Sequence, residues 1–373
     1  MKVGILGAGQ LARMLAEAGL PAGLEFVFVD PNPDSCAAAL GLHIQAEWDA
    51  PEALEALGAC DRVTCDFENV PASVLDALAA SVTVRPSARA LAAAQDRLLE
   101  KQRFARLGLA TPACAAVDSR LELVDAVERI GLPAVLKTRR MGYDGKGQML
   151  LRDHEDIELA WQKLGGVALI LEQWIAFDHE CAVTAVRAAN GDFRCWPLTH
   201  TWHEQGILRL AWAPAPAADR LQQQASLMIR KLAENLDYVG SLTLELFVVG
   251  DRLLANEFAP RVHNSAHWTI EGSYCSQFEN HLRALCDWPL GSTDARGSAL
   301  MVNFIGQVPR REQWLAVPGL SWHDYGKSAR PGRKVGHATL SAANAAELKK
   351  HAAALRGLLD AGSVQALASI AAD

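Results

Sequence analysis

At 373 residues, half of them hydrophobic, the chain is long enough for two or three packed domains and too long for one core. Its net charge of −7, from 36 Lys and Arg against 43 Asp and Glu, gives no footprint for nucleic acid. No apolar run approaches the ~18 residues of a membrane helix, and the opening residues read as a buried strand rather than a secretory signal, so a cytoplasmic location is expected.

The first 90 or so residues alternate strand and helix. Strands are expected at 3–6 and 25–30, a helix at 11–18 between them, and later strands at 64–67 and 82–84. That alternation implies a parallel sheet covered on both faces. Gly7-Ala8-Gly9-Gln10-Leu11-Ala12 follows the first strand and opens the helix, with Asp30 ending the next strand. The pattern satisfies a dinucleotide fingerprint, in which backbone amides meet an anion at a helix N-terminus. Taken alone it fits an NAD or FAD site and a plain tight turn equally well. The eight cysteines show no Cys-x-x-Cys pair and are expected to be reduced thiols.

From about residue 96 the texture changes. A helix at 96–107 is followed by Thr111-Pro112, a helix at 121–130, and a strand at 133–137 ending on Lys137. Then comes Gly142-Tyr143-Asp144-Gly145-Lys146-Gly147-Gln148 and a strand return at 148–151. Glycines let backbone amides approach phosphate oxygens, and Lys137 adds a fixed positive charge. This is no Walker loop, because strand returns to strand and no Gly-Lys-Ser/Thr completes it. Taken alone, the loop could also be a flexible hairpin.

A further strand at 167–174 carries Glu172-Gln173-Trp174-Ile175, with Glu180 soon after. A strand end can offer backbone groups to an adenine edge, and a carboxylate can accept from ribose hydroxyls. Both glutamates could as well be solvated surface residues.

Residues 242–258 read as a hairpin turning near Gly250-Asp251. Glu245 lies in a hydrophobic strand, where an unpaired carboxylate is costly. Glu257 lies in the returning strand beside Asn256. Two carboxylates and an amide oxygen are hard ligands suited to Mg2+. Side chains alternate along a strand, and a plain two-residue turn at Gly250-Asp251 sets Asn256, not Glu257, opposite Glu245. The metal reading therefore demands an odd-numbered loop or a one-residue bulge between the strands.

The remainder, from about residue 291, mixes short strands with a helix at 343–359. Lys327, Arg330, Arg333 and Lys334 form a cationic patch, either a phosphate anchor or a solvated basic turn.

Together these features resemble the ATP-grasp superfamily. Five blocks go further and resemble the 5-(carboxyamino)imidazole ribonucleotide synthase family: Gly7-Ala8-Gly9-Gln10-Leu11; Asp66-Phe67-Glu68-Asn69-Val70; Gly142 through Gln148; Asn256-Glu257-Phe258-Ala259-Pro260-Arg261-Val262-His263-Asn264-Ser265; and Arg330-Pro331-Gly332-Arg333-Lys334-Val335-Gly336-His337. The family usually has glycines where Ala8, Ala12 and Ala266 stand, a departure that removes no charged or hydrogen-bonding side chain.

The resemblance implies a mixed α/β and α+β architecture. A Rossmann-like parallel-sheet domain (1–96) would precede an ATP-grasp domain (97–290), whose two subdomains clasp ATP, and a small C-terminal domain (291–373). It implies that Arg97, Lys137, the loop from Gly142 through Tyr143, Asp144, Gly145, Lys146 and Gly147 to Gln148, the strand end Glu172, Gln173, Trp174 and Ile175, and Glu180, His203, Asn256 and Glu257 contact ATP. Glu245 and Glu257 would hold magnesium. Arg261, His263, Asn264 and Ser265 would serve bicarbonate and the carboxylated intermediate. Gln10, Glu68, Lys327, Arg330, Arg333 and Lys334 would hold the ribonucleotide. The partners implied are ATP, bicarbonate and aminoimidazole ribonucleotide, with no nucleic acid or membrane, in a homodimer. The competing readings are a formate-using transformylase of the same pathway, an NAD-dependent oxidoreductase, and a catalytically inactive nucleotide-binding module.

Overall fold

Period-2 burial builds the first sheet. In β1 (Lys2–Leu6) and β2 (Glu25–Val29), Val3, Ile5, Phe26 and Phe28 pack into one core, while Leu6, Val27 and Val29 pack into another on the opposite face. With β3 (Leu42–Ile44), β4 (Arg62–Cys65) and β5 (Thr83–Val84) they form a five-stranded parallel sheet in the order β3-β2-β1-β4-β5. Helix α1 (Gln10–Gly19) leaves β1 through Gly7, whose φ of 106° is left-handed and suits only glycine. This computed structural model describes residues 1–142, 146–216 and 219–372.

The second sheet has four antiparallel strands, β6 (Cys114–Val117), β7 (Ala134–Thr138), β8 (Gln148–Leu151) and β9 (Leu169–Gln173), in the order β6-β9-β7-β8. The helices Arg120–Ile130 and Asp156–Leu164 bury Leu123, Val127, Ile157 and Ala160 against Leu136 and Leu171 of this sheet. Ser119 starts the first of these helices by accepting from the Glu122 amide at 3.2 Å, and Glu122 Oε2 accepts from the Asp118 amide at 2.6 Å.

The third sheet is the largest. It joins β10 (His179–Arg187), β11 (Phe193–Cys195), β12 (Thr199–Glu204), β13 (Ile207–Ala213), β14 (Gly240–Val249), β15 (Arg252–Ala259), β16 (Ser298–Ile305), β17 (Leu320–Asp324) and β18 (Lys334–Ala342). The order is β15-β14-β10-β12-β13-β16-β18-β17, with β11 pairing β10. The antiparallel pair β13–β16 carries the ladder into the last quarter of the chain without a break. Helix Asp219–Asn235 covers one face with Ala225, Ile229 and Leu232 packed on Val183, Leu244 and Leu246. The helix expected at 343–359 is Ala345–Ala352 followed by a 3-10 turn, Ala353–Gly357, and a further helix, Ala361–Ala372, closes the described chain. All eight cysteines are free thiols.

Helix Arg97–Arg106 joins the sheets. Asp96 caps it by accepting from the Leu98 and Leu99 amides, and the same carboxylate binds Arg139 at 2.8 and 3.1 Å just past the end of β7.

Candidate active site

A cleft of about 730 Å3 is lined by strand residues of the second and third sheets and by the loops at the strand ends of the first. On the four-stranded side, Lys137 Nζ donates to Glu172 Oε2 at 3.0 Å. The lysine sits near the end of β7, and Val135 of the same strand pairs with Glu172 across β9. Lys101, buried on helix Arg97–Arg106, lies 3.3 Å from the same carboxylate oxygen. Burial opposes the charge on Glu172, but Lys137 and then Lys101 outweigh it and hold the carboxyl down at about 2. Glu172 therefore stays ionised and fixes Lys137 facing the cleft. Gly142 lies beside Arg97, which donates to its carbonyl at 3.4 Å. Tyr143, Asp144 and Gly145 lie outside the described residues. Gly147 turns back at φ 70° toward Gln148, which lines the cleft, while Lys146 is exposed.

The strand end beyond β9 supplies Gln173, Trp174 and Ile175 to the cleft wall. Two aromatics that sequence reasoning missed join them. Phe177 and Phe247 stack at 4.9 Å with an interplanar angle of 8°, and both line the cleft. A planar heterocycle fits such an apolar wall. Also on the cleft wall, His203 Nδ1 lies 2.8 Å from Glu180 Oε2. Burial works against the imidazolium, yet the Glu180 carboxylate raises the His203 pKa above its ordinary value.

The hairpin carries the acidic pair. Its turn has two residues, Gly250 and Asp251, with Gly250 at φ 59°, and the pairs Val249–Arg252 through Leu246–Ala255 follow the register of that turn. Then the register slips by one, so that Leu244 pairs with Phe258. Asn256 and Glu257 together stand opposite the single residue Glu245. This is the one-residue bulge that strand parity demanded. Burial raises the Glu245 pKa to about 7, and the charge on Glu257 adds to the rise. His263 Nε2 approaches Glu245 at 3.2 Å and Arg97 Nη2 approaches Glu257 at 3.4 Å. Two carboxylates that repel each other in a half-buried wall fit a divalent cation. Among the described residues no group of three His, Cys, Asp or Glu is gathered as a protein-only cage. Such a donor set suits Mg2+ completed by phosphate oxygens and water.

Beyond β15 the chain enters the floor of the cleft. Arg261 forms an ion pair with Glu68, which ties a loop of the first sheet to the third sheet. His263 Nδ1 is hydrogen-bonded with Ser265 Oγ at 2.9 Å, and burial, with Arg261 and Lys334 nearby, pushes its pKa well below the usual histidine range. It is a neutral imidazole. Asn264 lines the cleft with neither its amide oxygen nor its nitrogen bonded to any described residue, so a polar ligand has an unmet partner there. Ser265 is buried behind His263 and does not line the cleft. Its bonds to the imidazole brace His263.

The basic segment divides. Lys327 donates to the Gln10 side chain, and Gln10 and Lys334 line the cleft. Arg330 and Arg333 do not. Arg333 donates to Ser328 Oγ at 2.7 Å within an exposed turn, and Arg330 is exposed on that turn. Of the four cations, Lys334 alone lines the cleft, Lys327 borders it through Gln10, and Arg330 and Arg333 lie on the adjoining turn.

The glycine turn of the first sheet proves filled. Asp66 Oδ2 accepts from the Gly9 and Ala12 amides at 3.0 and 3.1 Å, and a Cβ at Gly7 would lie 1.7 Å from Asp66 Oδ1. Asp30 Oδ2 accepts from the Ala8 amide at 2.8 Å. Both acids serve the turn itself, taking up amides that a pyrophosphate would need.

Comparison with known proteins accords with this geometry. Family profiles described as ribonucleotide synthetase preATP-grasp domain, ATP-grasp domain and phosphoribosylaminoimidazole carboxylase C-terminal domain match residues 1–95, 102–278 and 299–351. The chain is 49% identical over 362 residues to the N5-carboxyaminoimidazole ribonucleotide synthase of Pseudomonas aeruginosa, covering 97% of this chain and 100% of that protein. It is 40% identical to that of Vibrio cholerae, covering 100% and 99%. Among solved structures, the synthetase of Thermus thermophilus superposes with a TM-score of 0.92 at 48% identity, covering 96% of this chain and 98% of that one. The Aspergillus clavatus synthase in complex with ADP and 5-aminoimidazole ribonucleotide gives 0.89 at 31% identity, covering 96% and 98%.

Proposed function

This chain belongs to the N5-carboxyaminoimidazole ribonucleotide synthase family, and from that premise we propose how its cleft carries out the reaction. The protein is an ATP-grasp ligase of purine biosynthesis that carboxylates 5-aminoimidazole ribonucleotide at the expense of ATP. The dinucleotide and formate readings of the sequence give way to it.

Adenine lies against Trp174, Phe177 and Phe247, with Gln173 and Ile175 at its edge, and the ribose meets Glu180 and His203. Lys137 and Arg97 face the phosphates. Glu245 and Glu257, with Asn256, would hold Mg2+, which would supply charge neutralisation for the phosphates. Arg97, 3.4 Å from Glu257 at the cleft wall, is placed to reach phosphate as well.

An oxygen of bicarbonate attacks the γ-phosphorus, the bond to the β,γ-bridging oxygen breaks, and ADP leaves, giving carboxyphosphate. Bicarbonate is already anionic, so no strong base is needed. Carboxyphosphate then breaks its C–O bond to release CO2 beside the exocyclic amine, which forms the new N–C bond. The amine proton passes to the departing phosphate. Arg261 and the unpaired amide of Asn264 hold the carboxylate, and neutral His263, braced by Ser265, can donate to it without adding charge. These groups act by position and charge, not through a covalent enzyme intermediate. Lys327, Lys334, Gln10 and Glu68 hold the ribonucleotide, with its phosphate at the lysines.

The observation that carries the assignment is the convergence in one cleft of the Lys137 wall, the bulged acidic pair and the unpartnered Asn264 amide. The decisive assay supplies bicarbonate or formate in turn and follows ADP release with and without 5-aminoimidazole ribonucleotide. Release that needs the ribonucleotide and bicarbonate supports the reading, and release supported by formate alone overturns it. Units at 1–96, 97–290 and 291–373, a homodimer and a cytoplasmic setting complete the reading; limited proteolysis, sedimentation and fractionation measure them in turn. No described helix is long and apolar enough to cross a membrane.

A further inference from the structure

Glu257 is held from behind as well as used in front. The peptide before it ends in the Asn256 carbonyl, which accepts from Lys101 Nζ at 2.5 Å. The peptide after it begins at the Phe258 amide, which donates to Glu100 Oε1 at 2.7 Å. Both peptides flanking Glu257 are therefore bonded to two consecutive side chains of helix Arg97–Arg106. Strand β15 is the outermost strand of its sheet, and the bulge interrupts its ladder just here. A bulged edge is a place where backbone groups lose regular partners and a strand bends freely.

Glu100 and Lys101 are both about 2% exposed, although each side chain is ionisable. Burying such groups is costly unless each bond is met. Glu100 borders the cleft yet spends Oε1 on the peptide behind the acidic pair. Lys101 has a second bond, at 3.3 Å to Glu172, the carboxylate that fixes Lys137. The same helix presents Arg97 to Glu257 Oε2 and to the Gly142 carbonyl.

We infer that Glu100 and Lys101 are positioning residues that clamp the two peptides of Glu257, aim its carboxylate at the same ion as Glu245, and tie that aim to the placement of Lys137 through Glu172. Clamping both peptides fixes φ and ψ of Glu257, which a side-chain contact alone would not do. The inference rests on the metal role proposed for Glu245 and Glu257.

The experiment measures Mn2+ binding to the full chain with ADP, by loss of the free-ion paramagnetic signal, together with the melting temperature and the KM for the ribonucleotide. Wild-type protein tests the underlying metal role, since failure to bind Mn2+ with ADP sinks that role and not the clamp alone. Glu100→Leu and Lys101→Met should each weaken Mn2+·ADP binding about tenfold while the ribonucleotide KM stays put. Glu100→Gln keeps an acceptor oxygen and should bind close to wild type. Glu100→Asp keeps the carboxyl but withdraws the acceptor by one methylene; it carries the test should the leucine variant not fold, with a smaller loss in the same direction. Folded variants that bind Mn2+·ADP as wild type does overturn the clamp. So does a glutamine variant as weak as the leucine one, or a loss shared equally by the ribonucleotide.

Discussion

Two glycine turns in this chain look alike on paper and end in opposite fates. The first, Gly7 to Ala12, leads from a parallel strand into a helix and offers inward amides, which Asp66 occupies. The second follows Lys137, and of its described part Gly142 and Gln148 border the cleft, with no described carboxylate bonded to the amide of either. What separates them is the occupant of the anion-binding hollow. In the first the chain supplies its own carboxylate from a neighbouring strand end. In the second it supplies a lysine, held by Glu172 at the cleft wall. A glycine pattern reports that a hollow can form, not that it is vacant.

The sharpest way to break this contrast is at Lys137. Lys137→Ala should lower turnover by about 10²–10³ and also lower the melting temperature, because buried Glu172 then keeps only Lys101 as a partner. Turnover at the wild-type rate would place the phosphates elsewhere. Conversely, Asp66→Ala empties the first hollow and strands two buried amides, at a cost of about 1–3 kcal/mol. Added sulfate should restore part of that loss in thermal melts, because the vacated amides then have an anion to bind. An Asp66→Ala protein as stable as wild type, and indifferent to sulfate, would deny the hollow its anion-binding character.

The basic segment supports a smaller effect. Lys327→Ala should raise the ribonucleotide KM about tenfold, near 1.4 kcal/mol, with the ATP KM unchanged. Arg330→Ala should barely change either constant. Equal effects of the two variants would show that the exposed turn closes onto substrate.

The last test is a slope. Burial raises the Asp66 carboxyl from its ordinary 3.8 to about 6, although the Ala12 and Gly9 amides pull the other way. The folded state thus binds this proton more tightly than the unfolded chain. The resulting stabilisation is complete below the ordinary value and is lost as pH rises from about 4 to about 6, at no more than about 1.4 kcal/mol per unit. Asp66→Asn should flatten that part of the stability–pH curve, measured by urea unfolding. A steeper curve in the variant would reverse the sign assigned here.

Much of the site can be read from the sequence because its signals are local. Lys137 ends an apolar run, and Glu245 and Glu257 sit in a recognisable hairpin. Parity demands the bulge, since a two-residue turn and a shared face for both acids cannot coexist in a regular ladder. Other residues give no such signal. Glu100 and Lys101 lie in a helix with Arg97, Arg103 and Arg106 and look like a solvated charged face; packing against β15 and, for Lys101, Glu172 of β9 buries them. Phe177 and Phe247 are distant in the chain and meet only through folding. Strands β12 and β13 escape the sequence reading, although Gln205 and Gly206 at φ 52° and 76° form the tight turn between them. Asp66 stands in a family block, but nothing in its neighbours says that it fills the turn of Gly7.

The unbroken nine-stranded sheet has a mechanical consequence. Glu180 in β10, His203 in β12, Glu245 and Glu257 in β14 and β15, and Lys334 in β18 all ride on it. Sliding any of these strands past another would sever ladder hydrogen bonds, each worth about 1 kcal/mol. Lys137 rides instead on the separate four-stranded sheet, which shares no ladder with this plate. The plate therefore works as a ruler. The spacing from the acidic pair to Lys334 is set by the sheet itself. The four-stranded sheet, which carries Lys137, is not bound into that ladder.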